Sequence, residues 1–229
     1  MNVAEIMTEL SVWVLPVLLA VTLHEAAHGW AAWRLGDDTA YSLGRVSFNP
    51  LRHIDPVGTI LLPALLLLAS GGRFMFGFAK PVPVAFHRLN HPRRDMVLVA
   101  AAGPGINFAM ALAAAFLIVP ASAISGDLGV WLGKNLINMV WINILLAIFN
   151  LLPLPPLDGG RIAVGVLPNA LALPLQRLER FGIFIVLGLI FLLPWLGSRL
   201  GLDLDVFGWL ILGPSMAITE AFLRLAGVQ

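Results

Sequence analysis

His24, Glu25 and His28 form an H-E-x-x-H, His24-Glu25-Ala26-Ala27-His28, at the end of a long apolar run. On a helix, positions four apart share a face, so the two imidazoles can hold one metal ion between them. Glu25 stands beside them, placed to take a proton from water activated by that ion and pass it to a leaving amine. Five histidines and five glutamates among 229 residues produce this pattern by chance with an expectation of about 0.002. The plainer alternative is a helix with stray polar residues near a membrane surface. An ionisable cluster at membrane depth is costly, however, and marks a functional site by default.

Catalytic zinc usually takes three protein ligands and keeps one position open. The chain has no cysteine, so histidine and carboxylate must supply all three. The segment Asn150-Leu151-Leu152-Pro153-Leu154-Pro155-Pro156-Leu157-Asp158-Gly159-Gly160 points to Asp158. Its three prolines break a helix, which a membrane protein tolerates only where the segment is buried in protein or lines a wet cavity. The competing reading makes Asp158 an N-cap for the segment starting at Gly159. A further signal is Ala102-Gly103-Pro104-Gly105-Ile106-Asn107. Its glycines permit close helix approach, and Asn107 carries an amide into the interior. Either these residues only pack helices, or Asn107 or Asn150 holds the substrate or its developing oxyanion. His53 and Asp55 read as a hydrogen-bonded structural pair near the surface, with gating or substrate contact as the alternative. His87 and His91 are four apart, but Pro92 disfavours helix at His91, so they read as interfacial rather than as a second metal site.

The elements that must carry these residues are membrane helices. The chain is 59% hydrophobic and 12% charged with mean hydropathy +0.90, against about 25% charged in soluble domains. Apolar blocks run over Ser11–Leu23, Met96–Ser122, Leu136–Leu157, Phe181–Gly197 and Val206–Ile218, and a span needs about 20 such residues. The net charge of +1 carries no nucleic-acid footprint. Glu5 and Glu9 stand where a secretory signal has a basic region, so the first apolar run is expected to be retained. Tyr41–Leu43 and Arg45–Phe48 alternate around Gly44 as short strands do, and the Pro-rich stretch Phe74–Phe86 suits extended structure.

Parity decides the topology. If the histidines and Asp158 lie at C-terminal helix ends and meet at one ion, the chain between them crosses the bilayer an even number of times. Met96–Ser122 and Leu136–Leu157 already give two crossings, so Thr59–Ala69 should dip in and return. With that dip, only Lys134 and Arg199 of the fourteen basic residues fall on the far side. A full crossing splits them nine against five. The positive-inside rule favours the first arrangement and puts the site toward the cytoplasm. The expected fold is an all-α polytopic membrane protein, about five to six transmembrane helices with a re-entrant segment and a small membrane-associated β-sheet. Residues 1–229 form one domain, with a catalytic core over about 10–161 and C-terminal helices over about 176–226.

Together, H-E-A-A-H in a first span, G-P-G-I-N in the next full span and N-L-L-P-L-P-P-L-D-G resemble the three signatures of the site-2 protease family of intramembrane zinc metalloproteases, peptidase family M50. Asn49–Thr59 and Phe76–Val84 resemble its compact prokaryotic members, which lack PDZ and CBS domains. The resemblance covers about Leu10 to Arg161. It implies one zinc ion per chain held by His24, His28 and Asp158, with Glu25 as the catalytic base and Asn107 and Asn150 lining the site. Tyr41–Phe48 and Phe76–Val84 would form a sheet that engages unwound substrate. It further implies cleavage of another protein's transmembrane segment within a prokaryotic cell membrane; oligomeric state stays open. The rival reading is a transporter or metal permease in which the same three ligands bind an ion in transit.

Overall fold

The computed structural model describes residues 3–61, 64, 65, 68 and 79–228. Six helices carry the architecture: α1 (Val3–Arg34), α2 (Pro92–Ser122), α3 (Asp127–Asn150), α4 (Asp158–Val166), α5 (Asn169–Leu200, with 3-10 and π-helical turns inside it) and α6 (Gly213–Leu225). The first three form a bundle. Asn90 N–H donates to Leu35 O at 2.9 Å, and His28 and His24 reach Val99 and Asn107 further along, so α2 runs back along α1. Helix α3 runs parallel to α1, with Lys134 paired to Glu9, Trp131 to Ser11 Oγ at 2.8 Å and Asn138 to Val12 O at 2.8 Å.

Small side chains let these helices approach closely. Ala111, Ala114 and Ala115 of α2 pack against Val140 and Ile144 of α3, all buried. In a bilayer, burial of apolar area drives little association, so close packing and interhelical hydrogen bonds must hold the bundle. The large apolar residues instead point outward: Trp13, Val14 and Leu15 on α1, and Phe184, Phe191 and Trp195 on α5, are all exposed. The polar residues Thr22, His24, His28, Asn107, Asn143 and Asp158 are buried. This is the arrangement of a protein whose solvent is lipid.

Two expectations are corrected. Among the described residues four helices, not five to six, are long and apolar enough to cross a membrane: Met7–Arg34, Pro92–Ser122, Asp127–Asn150 and Asn169–Leu200. The run beginning at Val206 is not among them, because its helix continues through Ser215, Thr219 and an ion pair between Glu220 and Arg224. The β-sheet is also absent among the described residues. Thr39–Ser42 is a single helical turn instead. Asp37 Oδ1 accepts the Thr39 N–H and hydroxyl, and Arg45 N–H returns to Ala40 O, so local bonds consume the groups a strand would offer. Residues 79–85 carry no regular secondary structure and no ladder. Pro81 and Pro83 have no N–H, Val82 N–H goes to Glu25, and Ala85 N–H goes to Asp37.

Thr59–Ala69 and Phe76–Phe78 fall largely outside the described residues. The Leu35–Asn90 hydrogen bond does show that the segment between α1 and α2 starts and ends at the same end of the bundle.

Candidate metal centre

The site is built where α1, α2 and the start of α4 meet. His24 and His28 lie one turn apart on α1 and face α2. Each ring is fixed through Nδ1: His24 donates to Asn107 Oδ1 at 2.5 Å and His28 donates to Val99 O at 2.7 Å. A main-chain carbonyl only accepts, so the neutral His28 ring carries its proton on Nδ1 and leaves Nε2 bare. The same holds for His24 against an amide oxygen.

The two Nε2 atoms stand 3.0 Å apart, and Asp158 Oδ2 lies 3.2 Å from that of His24 and 3.3 Å from that of His28. All three residues are less than a tenth exposed. Ligands about 2.05 Å from a tetrahedral zinc ion are about 3.3 Å apart, so the triangle has the right size. Its electrostatics also call for a cation: two imidazole nitrogens and a carboxylate oxygen converge in a buried space. Asp158 Oδ2 is buried without a hydrogen-bond donor. The donor set, the spacing and the orphaned oxygen all fit a zinc ion.

The local sequence makes room for this group. A Cβ on Gly103 would fall onto His28 Nε2, so only glycine leaves space for the rings. The proline break after α3 turns the chain back so that Asp158 opens α4. A Cβ on Gly159 would strike the carbonyls of Leu151 and Leu152, and one on Gly160 would strike Pro155 N, so this turn needs both glycines. Asp158 is the first helical residue, and the N-cap position falls to Leu157. At the other end of α4, Arg93 of α2 bonds Gly165 O at 2.9 Å, Asn169 Oδ1 at 2.9 Å and Leu167 O, which ties the helix to the bundle.

Glu25 lies next to the ligands, and its Oε2 accepts the Val82 N–H at 2.7 Å. The Val82 segment is clamped from behind by Arg45, which donates to Lys80 O at 2.7 Å and Pro81 O at 3.4 Å. Asn107 does reach the site, but all its polar atoms are engaged. Its oxygen accepts from His24, and its amide hydrogens go to Asn143 Oδ1 at 2.6 Å and Ala20 O at 3.3 Å. Asn150 turns back onto Leu146 O of its own helix at 3.0 Å. His53 donates to Ser47 O at 3.0 Å, and Asp55 Oδ1 accepts the N–H groups of Val57 and Gly58.

Asp37 is fully buried just beyond α1. Burial pushes its carboxyl up, but the Thr39 hydroxyl, the Ala85 and Thr39 N–H groups and the nearby Arg88 guanidinium outweigh burial and hold it below the ordinary aspartate value. Asn143, Val82, Arg45 and Asp37 were not singled out from the sequence. Asn143 alone left a signal there, as a carboxamide inside the apolar α3.

Comparison with known proteins agrees with this geometry. The family model for peptidase family M50 matches residues 128–193. The chain is 39% identical over 189 residues to YwhC of Bacillus subtilis (strain 168), covering 81% of each chain. It is 34% identical over 146 residues to Rip2 of Mycobacterium tuberculosis (strain H37Rv), covering 62% of this chain and 52% of Rip2. The Rip2 of Mycolicibacterium smegmatis is 32% identical over 147 residues. The names of all three describe zinc metalloproteases. No solved structure matches the chain. With its apolar helices and its ligand triangle, the chain is an integral membrane zinc metalloprotease and belongs to peptidase family M50, the site-2 protease family.

Proposed function

We propose that this protein hydrolyses peptide bonds in or near transmembrane segments of other membrane proteins. One observation carries the reading: the His24, His28 and Asp158 group is buried among helices long enough to span a bilayer. A protease with its ligands at that depth acts on chains that share the membrane. A helical substrate hides its carbonyls in its own hydrogen bonds, so it must unwind locally before one can reach the site.

In this reading His24, His28 and Asp158 hold the zinc. When bound, zinc supplies Lewis acidity, which lowers the pKa of water and polarises a carbonyl. Asn107 and Val99 O orient the two rings. The Val82 N–H holds Glu25 Oε2 and so fixes the plane of the carboxylate, leaving Oε1 to take the proton and deliver it to the leaving nitrogen. Asn107 acts as a positioning residue, since it has no hydrogen left for an oxyanion. The basic residues clustered at and beyond the C-terminal end of α1, including Arg34, Arg45, Arg52 and Arg88, support a site facing the cytoplasm of a prokaryotic cell membrane. Membership of a zinc metalloprotease family weighs against the transport reading.

Glu25→Gln tests the mechanism, assayed in proteoliposomes on a reporter with a single transmembrane helix. Cleavage should fall by about 10²–10⁴-fold while bound zinc stays at the wild-type level. Cleavage at the wild-type rate would refute Glu25 as the base. Cleavage only of soluble peptides, with the embedded helix untouched, would refute the intramembrane reading.

A further inference from the structure

His24 offers Nε2 as a ligand only while its proton stays on Nδ1. Its partner there, Asn107, does not guarantee that by itself. A carboxamide has nearly the same shape when its oxygen and nitrogen are exchanged. Flipped, Asn107 would present Nδ2 to the ring as a donor, move the ring proton to Nε2 and close the ligand atom.

A chain of fixed polarity prevents this. Asn143 Nδ2 donates to Met139 O at 2.9 Å, with Met139 Sδ, a weak acceptor, at 3.1 Å on the same side. Met139 O is a main-chain carbonyl of α3 and only accepts, so Asn143 must turn its oxygen toward α2. That oxygen accepts from Asn107 Nδ2 at 2.6 Å, and Ala20 O accepts from the same nitrogen at 3.3 Å. Asn107 must then turn its own oxygen to His24. Both asparagines are completely buried, so no solvent is at hand to satisfy the flipped arrangement, and a mis-set buried amide is costly. His28 needs no relay, because its Nδ1 bonds a main-chain carbonyl directly.

We propose that Asn143 is a positioning residue for the metal centre: acting through Asn107, it sets the tautomer of His24 that leaves Nε2 free to bind metal. The proposal rests on the reading of His24 as a zinc ligand. It extends the site to a third helix, since the polarity that begins at a carbonyl of α3 ends at an imidazole of α1.

The test uses the purified full chain in detergent, labelled with ¹⁵N-histidine, with zinc affinity measured by chelator competition. In the metal-free wild type, both His24 and His28 should show a protonated Nδ1. In Asn143→Leu, His24 should lose its single tautomer while His28 keeps its own, and zinc affinity should fall about 10–100-fold. A purely structural role for Asn143 would not separate the two rings. In Asn107→Asp a carboxylate accepts through either oxygen and leaves no polarity to set, so N107D/N143L should bind zinc at least as tightly as N107D alone.

An unprotonated Nδ1 on His24 in the metal-free wild type overturns the relay and requires no variant to fold. So does wild-type affinity with an unchanged tautomer in N143L, or a further tenfold loss in the double variant. His24→Ala examines the underlying reading separately. If it binds zinc like the wild type, His24 is not a ligand and the relay loses its purpose, whatever the tautomer.

Discussion

Gly103 is the position at which one added carbon should separate the metal centre from the fold. A Cβ there would fall onto His28 Nε2 and lie 2.6 Å from Cε1 of each histidine. Carbon atoms rest comfortably about 3.5–4.0 Å apart, so the shortfall is about 1 Å. Neither ring can give that much while keeping its Nδ1 bond to Asn107 or Val99, and a zinc ligand set tolerates displacements of about 0.2 Å. Disrupting one such outer bond costs about 10–100-fold in metal affinity, or about 1.4–2.7 kcal/mol. Here two rings are displaced together, so Gly103→Ala should bind zinc about 100-fold more weakly than the wild type. Gly105→Ala is the matched control. It lies on the same helix with nothing within 4 Å of the new Cβ, and alanine favours helix over glycine by about 0.8–1 kcal/mol. Chelator competition on both purified variants, together with thermal melts by circular dichroism, reads out the difference. G105A should keep its zinc and melt at the same or a higher temperature. Wild-type affinity in G103A, or an equal loss in G105A, would refute the reasoning.

Asp37 gives a pH dependence of defined sign. Its folded pKa lies below the ordinary value of 3.8, so its ionised form contributes stability that is present above that value and disappears as pH falls through the folded pKa. Asp37→Asn should therefore melt lower than the wild type at about pH 7, with the gap closing below 3.8; a gap unchanged down to about pH 2 would contradict this account. Arg93→Ala should destabilise the protein by about 1 kcal/mol, discounted because the side chain is exposed, and should lower zinc affinity by loosening the helix that begins at Asp158. Denaturant melts and chelator competition measure the two effects, and an unchanged zinc affinity would show that α4 is held by other contacts.

The group that could hold a metal was legible because its logic is local. Two histidines four apart share a helix face whatever surrounds them, and three prolines followed by Asp158 announce a broken helix. The strands were misread because alternation over Tyr41–Phe48 describes side chains and not the destination of each N–H. The N–H groups of Ser42, Leu43, Gly44 and Arg45 went instead to the nearby carbonyls of Asp38, Thr39, Tyr41 and Ala40. The span count was misread at Val206–Ile218, where the apolar run continues into a helix bearing Glu220 and Arg224.

The sequence alone determined the chemistry and its solvent, because metal-ligand spacing and hydrophobic run length are properties of the chain itself. Only the tertiary structure decided how each ligand is aimed. Asn107 looked as fit to hold a substrate as to pack a helix until Asn143 of one helix and His24 of another were seen to use up its amide. Asn150, equally plausible in the sequence, bonds its own helix instead. Hydrogen-bond polarity in a buried site depends on which acceptors lie across from it. Those acceptors come from segments far apart in the chain, so their pairing exists only once the helices have packed.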